Sequence, residues 1–152
     1  MDTSSEVREA VEAVIAEYER CWAGLDFAGL RELWDPDEPE PIYVAEELLE
    51  PAVGYPAIEA YWAKSTATID RAKIRTAKLR VRSIAPGIAL AFYAMHWNVA
   101  MADGRVMGGN VRTSALFRET PQGWRFFHYV EAPLANLVQV RQANEAQVDP
   151  DF

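Results

Sequence analysis

Cysteine and histidine are almost missing from this sequence. The chain has one cysteine, Cys21, and two histidines among its 152 residues. A single cysteine cannot close a disulfide within the chain, and these few residues do not have the spacing of a zinc-binding cluster. We therefore expect no internal disulfide, no metal site and no other bound cofactor.

The sequence also has few positively charged residues and no long apolar run. The chain has 15 lysines and arginines against 23 aspartates and glutamates, which leaves a formal charge of −8. Nucleic-acid binding needs a basic face, so this balance argues against it. No apolar run approaches the ~20 residues of a membrane-spanning helix. Residues 1–6 are acidic and lack a basic, apolar leader, so we expect a cytoplasmic protein with no signal peptide and no membrane contact.

The overall composition is that of a globular protein. Half of the residues are hydrophobic and a quarter are charged, which is typical of folded chains and not of disordered ones. The length is that of one ordinary domain, long enough to bury a core. Residues 1–152 are therefore predicted to form a single domain.

The beginning of the chain predicts two helices. Hydrophobic residues recur at steps of three and four up to Gly24, where the first helix should end. Thr3 or Ser5 could cap the start of this helix, because side-chain oxygens there accept from its free amides. A second, short helix is expected over about 27–34.

A loop, a short strand and a third helix follow. Three prolines in residues 35–41 predict a loop, because proline lacks an amide donor and restricts the residue before it. Residues 42–45 have the pattern of a short strand, with Glu46 at its end. Gly54 and Pro56 introduce the third helix, since proline is well tolerated in a first helical turn.

From residue 74 the hydrophobic period changes to two, which predicts an antiparallel meander. The expected strands are about 74–85, 87–101, 105–118 and 124–131. A last amphipathic helix is expected over about 134–147, with an acidic tail at 148–152. Helices that are segregated from an antiparallel sheet indicate the α+β class.

Four motifs along the chain resemble those of one superfamily. They are Glu17-Tyr18, Gly54-Tyr55-Pro56-Ala57-Ile58, Arg112-Thr113-Ser114-Ala115-Leu116-Phe117-Arg118 and Gly123-Trp124-Arg125-Phe126-Phe127-His128. On these residues, nearly the whole chain resembles the nuclear-transport-factor-2-like superfamily, in particular its SnoaL-like and ketosteroid-isomerase-like members. The resemblance implies a cone-shaped, cystatin-like fold. In such a fold three N-terminal helices and a C-terminal helix pack on a curved antiparallel sheet around a pocket.

The Asp103-Gly104 dipeptide predicts the register of the central hairpin. This dipeptide favours a two-residue type I′ turn, which would make the numbers of opposite residues add up to 207. The pairs on one face would then be Trp97 with Asn110, Met95 with Arg112 and Tyr93 with Ser114. We assign this bulkier face to the concave side of the sheet. His96 would then lie on the convex side, which such folds use for dimerisation, so we expect a homodimer or a higher homo-oligomer.

The resemblance to ketosteroid isomerase implies three catalytic residues. Its helix-one tyrosine falls on Tyr18, its general base falls near Glu46, and its oxyanion-hole acid falls on Asn110. The carboxylate would remove a proton next to a carbonyl while Tyr18 and Asn110 donate to the oxyanion. Glu47 leaves the position of the base open by one residue. Each residue also has a structural alternative. Tyr18 could be a core residue, Glu46 or Glu47 could be a solvated carboxylate, and Asn110 could end a strand after a bulge at 108–109.

Further candidates could bind the ligand. Arg112 on the concave face would pair with Glu46 or with an anionic or carbonyl-bearing ligand, and a purely structural ion pair is an equal alternative. The other candidate wall residues are Tyr93, Met95, Trp97, Trp22, Trp34, Trp62 and His128. Aromatic walls suit a flat ligand and equally a filled core. His128 suits a pocket base, but a satisfied core histidine is the more common state of such a residue.

These residues support two main hypotheses of function. The first is a cofactor-independent isomerase or lyase, including dehydratases, which acts on a hydrophobic cyclic or aromatic carbonyl or hydroxy compound. The alternative is a non-catalytic domain of the same fold that binds a small ligand or serves dimerisation and assembly. Enolisation, dehydration and retro-aldol cleavage need the same base and oxyanion donors, so the sequence does not choose among them.

Overall fold

In the computed structural model, which describes residues 3–135 and 137–151, four helices and six strands are formed. The helices are α1 (Ser5–Ala23), α2 (Phe27–Glu32), α3 (Tyr55–Thr68) and α4 (Leu137–Glu145). The strands are β1 (Ile42–Val44), β2 (Ala52–Val53), β3 (Ile69–Ala85), β4 (Ile88–Met101), β5 (Val106–Thr120) and β6 (Gly123–Pro133). The predictions for Met1, Asp2, Asn136 and Phe152 lie outside the described residues.

The N-cap of helix α1 is Ser4, which lies between the two predicted caps, Thr3 and Ser5. The Ser4 side chain accepts from the Val7 amide at 3.2 Å, which is the usual N-cap geometry. Thr3 instead accepts from the Ser83 amide at 2.9 Å and so ties the start of the chain to β3. Gly24 ends the helix, as predicted.

The six strands form one sheet in the order β2-β1-β6-β5-β4-β3. Strands β3 to β6 form the predicted antiparallel meander. Strand β1, however, pairs with β6 in parallel, and β2 adds an antiparallel edge that the sequence analysis did not predict. The predicted α+β architecture is confirmed, with a curved mixed sheet in place of a purely antiparallel one.

The hairpin between β4 and β5 differs by one residue from the predicted register. The Gly104 amide donates to Met101 at 2.9 Å, and the Met101 amide donates to Arg105 at 2.7 Å. With Gly104 at φ +91, this is a three-residue loop with a glycine bulge, not a two-residue turn. The pairs on the concave face are therefore Trp97 with Gly109, Met95 with Val111 and Tyr93 with Thr113.

This shift places Asn110 and Arg112 on the convex face, because neighbouring residues of a strand point to opposite sides. Asn110 lies opposite His96, and its Oδ1 is 2.9 Å from the histidine Nδ1. Arg112 donates to the Pro133 carbonyl at 3.3 Å. The prediction that these two side chains face the cavity is wrong. The pairing also continues through residues 108–109 without the suggested bulge.

A bulge in β6 reverses the faces of its second half. Leu116 lies opposite His128 while Phe117 lies opposite Phe126, so one extra residue, Phe127, is inserted. Phe126 therefore shares the concave face with Tyr129, and His128 lies on the convex face. The prediction that His128 lines the pocket is wrong for this reason.

The core lies between the helices and the concave face of the sheet, and it is rich in aromatic side chains. The largest fully buried ones are Trp34, Trp62, Tyr18, Tyr43, Tyr93, Tyr129, Phe117 and Phe126. Helix α4 is shorter than the predicted 134–147, and none of its described residues is buried. No helix in the described part of the chain is long and apolar enough to cross a membrane.

The Gly104→Ala substitution tests the hairpin. Gly104 has a positive φ, and an added Cβ would meet nothing within 4 Å, so the cost arises from the backbone alone. We expect a loss of about 1 kcal/mol in the free energy of unfolding, measured with urea. Gly24→Ala is the matched control, because Gly24 has a negative φ of −89. Equal losses for both variants would contradict the assigned loop.

Candidate active site

A cavity of about 770 Å³ lies between helices α1 and α3, the segment after β1, and the concave face of the sheet. Its walls are mostly aromatic and apolar. They include Tyr18, Trp22, Tyr43, Tyr61, Met95, Trp97, Val99, Met101 and Met107. Its ionisable carboxyl groups are those of Glu46, Glu47, Glu50 and Glu131, and Lys64 also lines it. A largely apolar cavity with a few polar groups is the usual form of a small-molecule site.

The structure places five of the predicted site residues in this cavity and six outside it. Those that line it are Tyr18, Trp22, Glu46, Met95 and Trp97. Trp34, Trp62 and Tyr93 are buried in the core and do not line the cavity. Asn110, Arg112 and His128 lie on the opposite face of the sheet, as described above. Glu46 and Glu47, which the sequence left as alternatives, both line the cavity.

Glu131 is the principal site residue that the sequence analysis missed. Its Oε1 accepts from the Tyr129 hydroxyl at 2.6 Å, and its Oε2 accepts from the Glu46 amide at 3.0 Å. Burial raises the pKa of the Glu131 carboxyl to about 7, although these two hydrogen bonds act in the opposite direction. A carboxyl group with this pKa exchanges protons readily at neutral pH.

A chain of tyrosine hydroxyls connects helix α1 to Glu131. Tyr18 donates to the Tyr129 hydroxyl at 3.1 Å, and Tyr129 in turn donates to Glu131. The Tyr43 hydroxyl is 3.4 Å from that of Tyr18, and the rings of Tyr43 and Tyr129 stack at 4.9 Å. Burial raises the pKa of all three phenols well above its usual range, so they remain neutral donors.

The Trp22 indole lies next to this chain of hydroxyls. The Trp22 and Tyr18 rings meet edge to face, with their centroids 6.4 Å apart. Trp22 lines the cavity, and its buried indole N–H has no hydrogen-bond partner among the described residues.

Glu46 and Glu47 have different surroundings. Burial raises the pKa of the half-buried Glu46 carboxyl; a hydrogen bond from Trp97 opposes this rise, and the charge of Glu47 adds to it. Glu47 is more exposed and accepts from the Tyr61 hydroxyl at 2.6 Å. Of these two carboxyl groups, Glu46 is therefore the one that lies closer to the buried part of the site.

Gly109 determines where Trp97 can lie. The indole crosses directly over this glycine on the neighbouring strand, and a Cβ at position 109 would come within 2.8 Å of the ring. The absence of a side chain on β5 therefore lets the Trp97 ring lie flat against the sheet. In this position the indole lines the cavity together with Glu46, whose pKa it lowers.

One signal in the sequence could have identified Glu131. The run Phe126-Phe127-His128-Tyr129 contains four consecutive large side chains, which breaks strict alternation and is typical of an inserted residue. If the alternation of faces along this strand is counted from Tyr129 and not from Phe126, Glu131 falls on the concave face. Among the described residues, no three His, Cys, Asp or Glu side chains are grouped so that they could hold a metal ion.

The family model of the SnoaL-like domain matches residues 11–135 of the chain. No match was found among curated proteins. Solved structures with the same fold are numerous and have low sequence identity. One is a nuclear transport factor 2 (NTF2-like) superfamily protein from Salmonella enterica serovar Typhimurium. It has a TM-score of 0.79 and 18% identity over 89% of this chain and 96% of that chain.

Two further solved structures are named for an activity. A candidate aromatic ring hydroxylase from Novosphingobium aromaticivorans has a TM-score of 0.81 and 18% identity, and the match covers 89% of this chain and 94% of that chain. A candidate dehydratase of the NTF2-like family from Streptomyces avermitilis has a TM-score of 0.75 and 19% identity, covering 84% of this chain and 97% of that chain. At these identities the likeness establishes the fold.

The Glu131→Gln substitution tests the raised pKa through stability. The folded chain keeps the Glu131 proton up to about pH 7, whereas a carboxyl with the ordinary pKa of 4.5 loses it earlier. Stability from this group is therefore lost as the pH rises through that window. The free energy of unfolding of Glu131→Gln minus that of the unsubstituted chain should therefore rise by about 3 kcal/mol as the pH increases from 4.5 to about 7. Urea denaturation at several pH values measures it.

Glu50→Gln is the control for this measurement. Glu50 is an exposed carboxyl in the lining of the same cavity, and its removal should change stability by less than about 0.5 kcal/mol at either end of the window. A Glu131→Gln difference that stays flat with pH would contradict the buried, proton-holding carboxyl.

Proposed function

The chain belongs to the SnoaL-like domain family, and we propose that it is a cofactor-independent acid–base enzyme of the isomerase or lyase type. Its substrate would be a hydrophobic cyclic or aromatic carbonyl or hydroxy compound. The observation that carries this proposal is the Glu131 carboxyl, which has a pKa of about 7 and lies in the wall of an apolar cavity. Such a group can both accept a proton from a bound substrate and return it.

Glu131 would act as the base in the first step. Its carboxylate takes a proton from the carbon next to the substrate carbonyl, and the electron pair of the broken C–H bond moves to the carbonyl oxygen. Tyr129 donates to the same carboxyl group at 2.6 Å and holds it in position. The amide of Glu46 fixes the second oxygen at 3.0 Å.

Tyr18 would turn its one hydroxyl proton from Tyr129 to the developing oxyanion, as its resemblance to the helix-one tyrosine implied. Its hydroxyl is buried and remains protonated because burial raises its pKa. Asn110 cannot be the second donor, because it lies on the convex face. We assign that role to the Trp22 indole N–H, which lines the cavity beside Tyr18 and has no partner among the described residues.

Glu46 would act as the acid that completes the reaction. In an isomerisation the proton returns to a different carbon of the enolate. In a dehydration the acid protonates the leaving hydroxyl, the C–O bond breaks and water is formed. Burial raises the pKa of Glu46, which favours the protonated form that this step needs. The solved structure named as a candidate dehydratase, from Streptomyces avermitilis, favours the lyase alternative.

A second candidate function is non-catalytic ligand binding. The observation that favours it is the occupation of both Glu131 oxygens, since each already accepts a hydrogen bond from the protein. In this alternative the carboxyl group stabilises the tyrosine chain, and the cavity holds a ligand without converting it. Assembly through the convex face is compatible with both functions, because Phe92 on that face is 46% exposed.

Hydrogen–deuterium exchange tests the catalytic proposal without knowledge of the substrate. A panel of cyclic and aryl ketones is incubated with the protein in D₂O, and exchange next to the carbonyl is followed by NMR. Glu131→Gln should slow the protein-dependent exchange at least ~100-fold, because the variant has no base. Tyr18→Phe should slow it by ~10–1000-fold through loss of an oxyanion donor.

Asn110→Ala is the matched control, because this residue was a candidate on sequence grounds and lies outside the cavity. Its exchange rate should equal that of the unsubstituted chain. Undiminished exchange in Glu131→Gln would overturn the assignment of the base. Binding of the ketones without exchange would establish the non-catalytic function instead.

A further inference from the structure

We propose that the cavity selects a cationic ligand, namely a cyclic or aromatic molecule that carries an ammonium group. This inference rests on the proposed use of the cavity as a binding site and adds the substrate's charge class to it. It is argued from three features of the cavity: its unpaired carboxylates, the rings beside them, and the absence of arginine from its walls.

The first feature is an excess of acidic side chains. Glu46, Glu47, Glu50 and Glu131 line the cavity, and Lys64 is the one cationic residue that the described part of the chain adds to its lining. In the described part of the chain, none of these four carboxyl groups lies within ion-pair distance of a lysine or arginine. Carboxylates without an ion-pair partner, such as the exposed Glu47 and Glu50, favour a positively charged ligand and oppose a negatively charged one. Glu131 adds to this preference only above about pH 7, because it holds its proton up to that pH.

The second feature is the position of these carboxyl groups next to aromatic rings. Glu47 accepts from the Tyr61 hydroxyl at 2.6 Å, and Glu46 and Trp97 both line the cavity, where the indole lowers the pKa of the Glu46 carboxyl. The Tyr61 and Tyr43 rings are 5.2 Å apart on the same side of the cavity. Ring faces attract cations through their quadrupole, and this attraction is strongest where water is displaced. An ammonium group in this part of the cavity would meet rings and carboxylates together.

The third feature is the position of the arginines. The sequence analysis expected Arg112 to face the cavity and bind an anion, but the observed register turns it to the convex face. No arginine or histidine lines the cavity in the described structure. Nothing in the walls except Lys64 would therefore compensate the charge of an anionic ligand.

The buried end of the cavity supplies the remaining recognition. The Trp22 nitrogen is buried without a partner in the described structure, and the hydroxyl of Tyr18 lies beside it. The indole N–H is a donor, and Tyr18 can turn to a ligand the one proton that it otherwise donates to Tyr129, so this end would bind a neutral acceptor such as a carbonyl or hydroxyl oxygen. The ligand class is thus an apolar ring system with a neutral oxygen for the buried donors and an ammonium for the acidic rim.

The test compares three probes that share one bicyclic ring system and differ in charge. They are 2-naphthylmethylammonium, 2-naphthylmethanol and 2-naphthoate, and isothermal titration calorimetry of the full chain measures their affinities. The ammonium should bind about tenfold more tightly than the alcohol, and the carboxylate should bind more weakly than both. Added salt should reduce the preference for the ammonium and leave the binding of the alcohol unchanged.

Variants then locate the source of the preference. Glu47→Gln combined with Glu50→Gln should reduce the ratio of ammonium to alcohol affinity and leave Glu131 intact. Glu40→Gln is the control, because it removes an exposed carboxyl outside the cavity lining. It should leave the ratio unchanged.

Other results would overturn the inference. Equal or tighter binding of the carboxylate, the same affinity for all three probes, or no binding of any probe would each do so. An unchanged ratio in the Glu47 and Glu50 double variant would do so as well. The catalytic proposal is tested by a different result. Undiminished ketone exchange in Glu131→Gln would overturn the assignment of Glu131 as the base and would not affect the charge preference.

Discussion

The hydrogen bond between Tyr129 and Glu131 is the interaction on which the site depends. A buried carboxylate is costly unless donors compensate for the lost water, and here a phenol and a backbone amide provide part of that compensation. The phenol also accepts from Tyr18. One carboxyl group therefore connects the first helix, the segment after β1 and the last strand. The connection keeps the Glu131 side chain in the cavity wall.

Two irregularities of the sheet decide which side chains reach this site. The glycine bulge after Met101 sets the pairing of β4 with β5, and the extra Phe127 reverses the faces of β6. A shift of one residue exchanges the faces of a whole strand. Because of these two features the cavity contains Glu131 and lacks Arg112, so its charge is acidic and not basic. The local conformation of a few residues thus controls the chemistry of the whole cavity.

The fold was predictable from the sequence, and the site was predictable only in part. Helical and strand periods are set by many residues at once, so the order of elements and the position of Tyr18 did not depend on any single residue. The face of a strand depends on its turn and its bulges. Asp103-Gly104 is compatible with both a two-residue and a three-residue loop, so the sequence could not place Asn110. Glu131 was missed because the alternation of β6 was continued through its bulge.

The central claim is that Glu131 holds its proton close to neutral pH in an apolar cavity. Carbon-13 NMR of side-chain carboxyl groups in glutamate-labelled protein tests it most directly, with Glu131→Gln identifying the resonance by its loss. We predict that this resonance titrates at about pH 7, as burial of the carboxyl requires. Titration near the ordinary glutamate value of 4.5 would contradict the account, because such a carboxyl would be solvated and permanently charged at neutral pH.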